Sequence, residues 1–359
     1  MKAKIKTETL KDLMAKAVKG AGNNKLIPIT NLMELKMYEK TLQITTTDMV
    51  NFLYVKGELE EPVNKLFNIV IEAEKFAKLI SKMTSQYTEI SVLTNCVQVK
   101  GNGNYTIDIP LDENGDGIKY PEPITKLEDV FETKKTILDL VATVCGASVA
   151  KTLEVPVYTN YYVGDTILAT DTYAISSVAI DLFNGKHILI PSELMQLLSV
   201  LDSENIHVDF ADENRIWFNG NNVSILGKLA DGVEEYAVDA IEGLVNQEFD
   251  SMCKFKKANM LSALERIALF VGPYDDSAIK MTFTENGISV ESKQSSGIEV
   301  INYTGGENYN AFTCMVNINM LIAQLKAYSS DEVTMEYGAE NSIKFIDGSV
   351  TQVLALLEQ

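Results

Sequence analysis

The feature that most constrains this chain is a repeat: one pair of amphipathic helical patterns returns three times at even spacing. Residues 7–19 (TETLKDLMAKAVK) carry Leu10, Leu13, Met14 and Val18 at helical spacing, an apolar stripe that must be covered. Residues 133–149 repeat it with Ile137, Leu140, Val141 and Val144, and residues 257–270 with Met260, Leu261, Leu264, Ile267 and Ala268. A second helical pattern lies midway through each third, at 72–83, 191–201 and 317–328. Pro191 suits a first helical turn, while Ser192 and Asn317 suit N-caps, where a side-chain oxygen satisfies orphan amides. Each pattern returns after roughly 120 to 125 residues, too long for a solenoid unit and long enough for a domain. Three domains on a common plan follow, at 1–126, 127–249 and 250–359.

Between the helices the period changes to two. Residues 42–47, 106–111, 206–210, 215–218, 223–226, 279–283 and 288–292 alternate or are rich in β-branched side chains. Asn286-Gly287 and the run 219–222 (NGNN) fall between such segments and read as hairpin turns. Short spacings with tight turns favour antiparallel pairing. The fold class is therefore α+β, each third reading helix, strands, helix, strands, with two helices on an antiparallel sheet. The Pro- and Gly-bearing stretch 117–128 and the acidic stretch 239–252 are the expected connections.

Charge cuts against an obvious partner. Asp and Glu number 50 against 31 Lys and Arg, a net charge of -19, whereas a nucleic-acid binder usually shows a basic footprint. The distribution matters more than the sum. Lys6, Lys11, Lys16 and Lys19 sit on or beside the first helix, with Lys25 after it, and Lys75, Lys78 and Lys82 on the second. Lys134 and Lys135 open the third, Lys151 follows it, and Lys256 and Lys257 open the fifth. Acidic groups gather on strands and loops. One reading has lysine-bearing helices facing phosphate; the other has ordinary solvated helix faces. The fourth helix, with Glu193 and no lysine, fits the second.

Motifs for chemistry fail on inspection. Residues 112–117 (DENGDG) match the opening of an EF-hand loop, but its twelfth position is Pro123, where a bidentate Glu is needed. Residues 20–25 (GAGNNK) lack the P-loop spacing, and 101–105 (GNGNY) reads as a hairpin turn. His187 and His207, the two histidines, lie outside any metal-ligand spacing. The four cysteines (Cys96, Cys145, Cys253, Cys314) are far apart and read as reduced thiols in a cytoplasmic protein. No apolar run is long enough to span a bilayer. No enzyme, cofactor or metal is expected.

Several strings, in order, resemble the β subunit of bacterial DNA polymerase III, the sliding clamp family. They are 25–31 (KLIPITN), 42–48 (LQITTTD) and 167–175 (ILATDTYAI), the last resembling the family's Ala-Thr-Asp-Gly-His-Arg-Leu. The Pro191-led helix, 228–232 (KLADG), 283–290 (FTENGISV) and 316–321 (VNINML) continue the series. The resemblance implies a head-to-tail homodimer ring of six domains that encircles duplex DNA, without sequence preference, and tethers polymerase and clamp loader. It implies a peptide-binding pocket of Tyr158, Thr170, Thr172, Tyr173, Ala174, Ile175, Val238, Asn317, Met320, Val353 and Ala355, with Asn317 orienting the peptide backbone. Some of these read equally well as core. It also implies a subunit interface in which Leu269 and Phe270 meet an edge strand at Tyr105 and Ile107. The sequence departs from the family at Ala174 for an Arg, at 233–236 (VEEY) for Phe-Pro-Asp-Tyr, and at 355–359 (ALLEQ) for Met-Pro-Met-Arg-Leu. A divergent clamp of the kind a phage encodes, working in its host's cytoplasm, fits these departures.

Two rival readings stand beside it. A structural ring or assembly protein, of phage capsid or tail type, would also be multidomain, β-rich and acidic. A metal-dependent hydrolase would use the acidic loops, against which the absence of histidine clusters weighs.

Overall fold

The computed structural model describes residues 2–22, 24, 26–122, 130–272, 277–292 and 297–358. Its α-helices are α1 (Thr7–Ala17), α2 (Ala73–Ser81), α3 (Lys135–Val144), α4 (Ser192–Leu197), α5 (Val238–Val245), α6 (Lys257–Ile267) and α7 (Ile318–Ala327). Six fall on the six repeated patterns. The seventh, α5, occupies the acidic stretch expected to be a connection. Asn317 caps α7, its Oδ1 accepting the Asn319 and Met320 amides at 3.0 and 3.2 Å. Ser192 is the first helical residue of α4 rather than its cap.

The repeat extends to details. A strand runs without a break into the first helix of each third: Lys2–Lys6 into α1, Val130–Lys134 into α3, Ser251–Lys256 into α6. The opening amide of each helix, an orphan donor, finds the same kind of acceptor each time. Thr7 N–H donates to the Gln86 carbonyl (3.1 Å), Lys135 to Glu204 (2.8 Å) and Lys257 to Asp331 (2.8 Å). Each of these helices then tightens into a 3-10 turn, at Val18–Gly20, Cys145–Ala147 and Ala268–Phe270. The second helices are fed by the strands Phe52–Glu72, Ile188–Pro191 and Phe312–Asn317.

The pairings between strands are antiparallel throughout the described residues, as the tight turns required. In each third the strand before the first helix leads a four-strand meander. The first is Lys2–Lys6, Tyr87–Val92, Cys96–Lys100, Asn104–Asp108; the second is Val130–Lys134, Asn205–Asp212, Arg215–Asn219, Val223–Lys228. The third is Ser251–Lys256, Glu332–Tyr337, Ser342–Asp347, Val350–Ala355. In the 278–292 hairpin the turn residues are Glu285 and Asn286, and Gly287 already pairs with Thr284. A Cβ at Gly287 would lie 2.4 Å from the Ile301 carbonyl oxygen of the next strand, so glycine is required there.

Two compact units emerge, Met1–Leu138 with Glu193–Leu229, and Asp139–Ser192 with Ala230–Gln359. In the first, Leu32–Thr47 and Phe52–Glu72 form a long ribbon whose edge continues into the second meander. In the second unit, a nine-stranded sheet joins Ile188–Pro191, Asn160–Val163, Ile167–Thr170 and Ala174–Val178 to the third meander and Gly305–Glu307. A four-stranded sheet of Ile298–Asn302, Gly287–Ser292, Ala278–Thr284 and Phe312–Asn317 completes that unit. Its main core gathers Phe255, Met260, Leu264, Phe283, Leu321 and Phe345, all fully buried or nearly so. Phe283 and Tyr337 stack within it at 4.1 Å.

Candidate functional site

Three features of the fold bear on function: an aromatic cluster where the pocket is expected, a set of lysine-bearing helix faces and two of the open sheet edges. The cluster lies on the hairpin Ile167–Thr170 to Ala174–Val178. Its turn is held by side chains: Asp171 Oδ1 accepts the amides of Tyr173 (3.0 Å) and Ala174 (2.7 Å), and Thr170 Oγ1 accepts that of Thr172 (3.0 Å). Thr172 sits at φ +79°, a left-handed conformation that a β-branched residue rarely adopts. The turn leaves Tyr173 57 % exposed, and its carbonyl accepts the Ala355 amide at 2.8 Å.

Four of the expected pocket residues share one apolar cluster: Tyr158, Ile175, Val238 and Val353, with Ile175 directly opposite Val353 across the sheet. The sequence did not single out the aromatic floor beneath them. Tyr158 meets Tyr236 edge-on at 5.1 Å, Tyr236 stacks on Tyr162 at 5.4 Å, and the Tyr162 hydroxyl lies 2.9 Å from His187 Nδ1. Helix α5 supplies Val238, Ile241 and Val245, spaced to put all three on one face; that spacing was legible. Ala174 and Met320 belong instead to the main core of the same unit, Ala174 fully within it and Met320 packed on its surface. Asn317 commits its side-chain oxygen to the cap of α7, so backbone orientation of a peptide is not the role that oxygen plays here. Thr170 is buried, whereas Thr172 is exposed and Ala355 half-buried.

The lysines divide into two groups. α1 buries Thr7, Leu10, Leu13, Met14 and Ala17, and α2 buries Ala73, Phe76 and Ile80. Lys6, Lys19, Lys75, Lys78 and Lys82 are exposed, and Lys11 is half-buried. Lys134, Lys151 and Lys256 are exposed as well. The pairs Lys78–Glu74 and Lys256–Glu332 (3.9 Å) are surface contacts that exchange readily. Lys16 and Lys257 are different. Lys16 lies 2.9 Å from both Asp12 and Asp202; burial pulls its ammonium down, but the two carboxylates outweigh it and leave it above the ordinary lysine range. Lys257 donates to the Tyr328 carbonyl at 2.7 Å. Both act as braces within their own unit, which corrects their reading as hands open to a ligand. Lys135 is half-buried and also engaged. Lys25 lies outside the described residues.

The sheet edges show a pattern. The last strand of the second meander pairs outward with the ribbon: Val223↔Val55, Ser224↔Tyr54, Ile225↔Leu53, Leu226↔Phe52. The last strand of the third does the same with the pocket hairpin: Val350↔Val178, Thr351↔Ser177, Gln352↔Ser176, Val353↔Ile175. The last strand of the first meander, Asn104–Asp108, ends its sheet with no outward partner among the described residues. So does Ile298–Asn302 at the edge of the other four-stranded sheet. Val300 is 65 % exposed on that edge, and Leu269, in the 3-10 turn after α6, is 82 % exposed beside the half-exposed Phe270. Arg266 forks onto Glu299, Nε to Oε1 at 2.6 Å and Nη2 to Oε2 at 2.5 Å. On the first edge Tyr105 is exposed, but Ile107 is only 3 % exposed, so its side chain is core and only its backbone faces outward.

The tempting motifs resolve structurally. Asp112 Oδ1 accepts the amides of Asn114 and Asp116, both at 2.9 Å, making the acidic loop an Asx turn. The 101–103 segment is a hairpin turn closed by the Gly101 amide on the Gly103 carbonyl. Cys145, Cys253 and Cys314 are buried; burial pushes Cys253 and Cys314 up to about 12 and Cys145 further, so these thiols are not nucleophiles. Among the described residues no group of three or more His, Cys, Asp or Glu could hold a metal, and no helix is long and apolar enough to cross a membrane.

Comparison with known proteins bears on the fold. Residues 1–116 match the family model of the DNA polymerase III beta subunit, N-terminal domain. The beta sliding clamp of Halalkalibacterium halodurans is 25% identical over 236 residues, 62% of this chain and 60% of that protein's length. Among solved structures, the beta subunit from DNA polymerase of Streptococcus pyogenes superposes with a TM-score of 0.87 at 18% identity, covering 100% of both chains. DNA polymerase III subunit beta from Borrelia burgdorferi gives 0.88 at 13% identity, over 100% of this chain and 99% of that one. The sliding clamp from Bacillus subtilis gives 0.84 at 17%, over 100% and 99%.

Proposed function

Since this chain belongs to the DNA polymerase III beta sliding clamp family, we propose that it is a processivity factor: two copies close head to tail around duplex DNA and tether a polymerase to its template. The observation that carries this reading is the doubled sheet joint with its two leftover edges. Twice within the chain, the last strand of a meander joins a strand of the preceding third. Two of the outer strands, Asn104–Asp108 and Ile298–Asn302, are read here as the two halves of a third such joint. They cannot be isologous, because the halves differ. A head-to-tail contact between two copies supplies both partners and covers the exposed edges, and it closes if the rotation brings the second contact into register. Leu269, Phe270, Ile298 and Val300 then pack against Tyr105 and the backbone around Ile107.

In this reading the domains are 1–126, 127–249 and 250–359, and the repeated helices, twelve in the dimer, line the hole. Encirclement replaces affinity, which is how an acidic protein holds DNA. Exposed Lys6, Lys19, Lys75, Lys78, Lys82, Lys134, Lys151 and Lys256, with the half-buried Lys11 and with Lys25, make loose contacts to phosphate that carry no sequence information and permit sliding. Lys16, Lys135 and Lys257 support the helices that present them. The aromatic pocket takes a short apolar segment of a polymerase or clamp loader, seated on Tyr158, Tyr173 and Val238, with Ile175, Val353, Thr170, Thr172 and Ala355 shaping its wall. Tethering raises the polymerase's effective concentration at the primer end. The role is mechanical, with no reaction catalysed, and its place is with the replicating DNA in the cytoplasm.

The test is topological. The protein is loaded by a clamp loader onto nicked circular DNA, and half of the sample is linearised. Retention through a high-salt wash on circles, and loss from linear DNA, is the expected outcome. Equal retention on both would favour a DNA-coating assembly protein instead.

A further inference from the structure

The pocket floor is apolar, but its rim is strongly acidic, and the rim bears on which partners it takes. Residues 230–250, which carry α5 into the pocket, contain seven carboxylates and no lysine or arginine. Asp239, Glu234 and Glu235 are exposed. Glu242 is half-buried and fixed, its Oε1 accepting the Thr166 hydroxyl at 3.1 Å, beside the strand that carries Tyr162. Asp165 lies on the neighbouring turn. The cations on the facing segments are Lys151, Lys186 and Lys344, and His187 is engaged by Tyr162. Lys344, opposite Val353, is already committed: its Nζ donates to the Gln247 carbonyl at 2.6 Å and lies 2.7 Å from Glu336. Lys186 is itself engaged. The field reaches the floor: after burial, it is Glu242, Asp165 and Asp239 that hold the Tyr162 phenol above its ordinary range.

We infer that the segments this pocket takes are basic: a short apolar run on Tyr158 and Val238, flanked by lysine or arginine that meets Asp165, Asp239 and Glu242. This rests on the pocket reading above. An acidic flank would place like charges within a Debye length of the rim, where repulsion is little screened. Complementary flanks gain in association rate and in discrimination between partners. Glu242 is the most effective of the three, because its carboxylate is partly withdrawn from water and held in place.

The experiment is an unbiased selection followed by one charge reversal. Random dodecapeptides displayed on phage are panned against the immobilised full-length chain, with a Tyr158→Ala, Val238→Asp variant as the counter-target. The expected result is a set of pocket-dependent peptides with an apolar run and Lys or Arg flanks. The best of them should bind on the order of tenfold more weakly when its flanking basic residues are changed to Glu. That gap should shrink in 0.5 M salt (about 4 Å of screening length) and in the isosteric variant Asp239→Asn, Glu242→Gln. Apolar peptides with no charge bias, or equal binding of the two flanked forms, would overturn the inference and leave the pocket standing. Failure to recover any peptide that the counter-target loses would remove the pocket reading and the inference with it.

Discussion

Thr172 shows how a single residue can carry strain in an exposed turn. It holds φ +79° at a position where the resembling family stretch has glycine. For an L-residue that conformation costs about 1 to 2 kcal/mol. Three local hydrogen bonds accepted by the Thr170 and Asp171 side chains keep the turn in place regardless, and it leaves Tyr173 exposed, at the lip of the proposed pocket. Thr172→Gly should therefore stabilise the chain by up to about 1 kcal/mol, the relief being partly offset by the greater freedom of unfolded glycine. An upward shift of the urea midpoint is the expected readout; an unchanged or lower midpoint would mean that the turn is not strained. At this scale the sequence told little. Asp171 and Thr172 were visible as a family-like string, but a positive φ on a threonine has no signature in composition or periodicity. Lys16 and Lys257 read as surface lysines because the carboxylate Asp202 and the carbonyl of Tyr328 that hold them come from remote parts of the chain.

Elements were far more legible, for a physical reason. Period 3.6 in the six repeated helices is imposed by the need to bury one stripe, so Leu10, Leu13 and Met14 had to recur as they do. The strands that precede the first helices were missed. Lys2–Lys6 alternates Lys with Ala3 and Ile5 over only five residues before α1 begins, too short a run of period two to stand out. Helix α5 was missed because its carboxylates suggested a solvated connection, although Val238, Ile241 and Val245 kept helical spacing. The open strand Ile298–Asn302 makes a prediction at this scale. Ile298→Lys with Val300→Lys alters exposed side chains, so the fold should survive with its thermal midpoint nearly unchanged. The dimer dissociation constant should rise on the order of a hundredfold, as for loss of an interface hot spot worth above 2 kcal/mol. Sedimentation velocity across a concentration series would show it; an unweakened dimer would mean that this edge is not the interface.

At the scale of the whole molecule, repetition and incompleteness together make the case. The threefold plan could be read from helix spacing, whereas the joints between thirds could not, because Val223 and Val55, or Val353 and Ile175, meet across long stretches of chain. Only the paired structure shows that Asn104–Asp108 and Ile298–Asn302 end their sheets with no outward partner among the described residues, the deficit that the proposed head-to-tail contact would fill. That deficit is the central claim, and it has a direct measurement. In a Cys96→Ser background, Tyr105→Cys and Val300→Cys are made as separate proteins and treated with a flexible bis-maleimide. Each alone should remain uncrosslinked, while their mixture should give a covalent dimer and the double variant a doubly linked one. A dimer formed by either single variant alone, or no product from the mixture, would contradict head-to-tail closure.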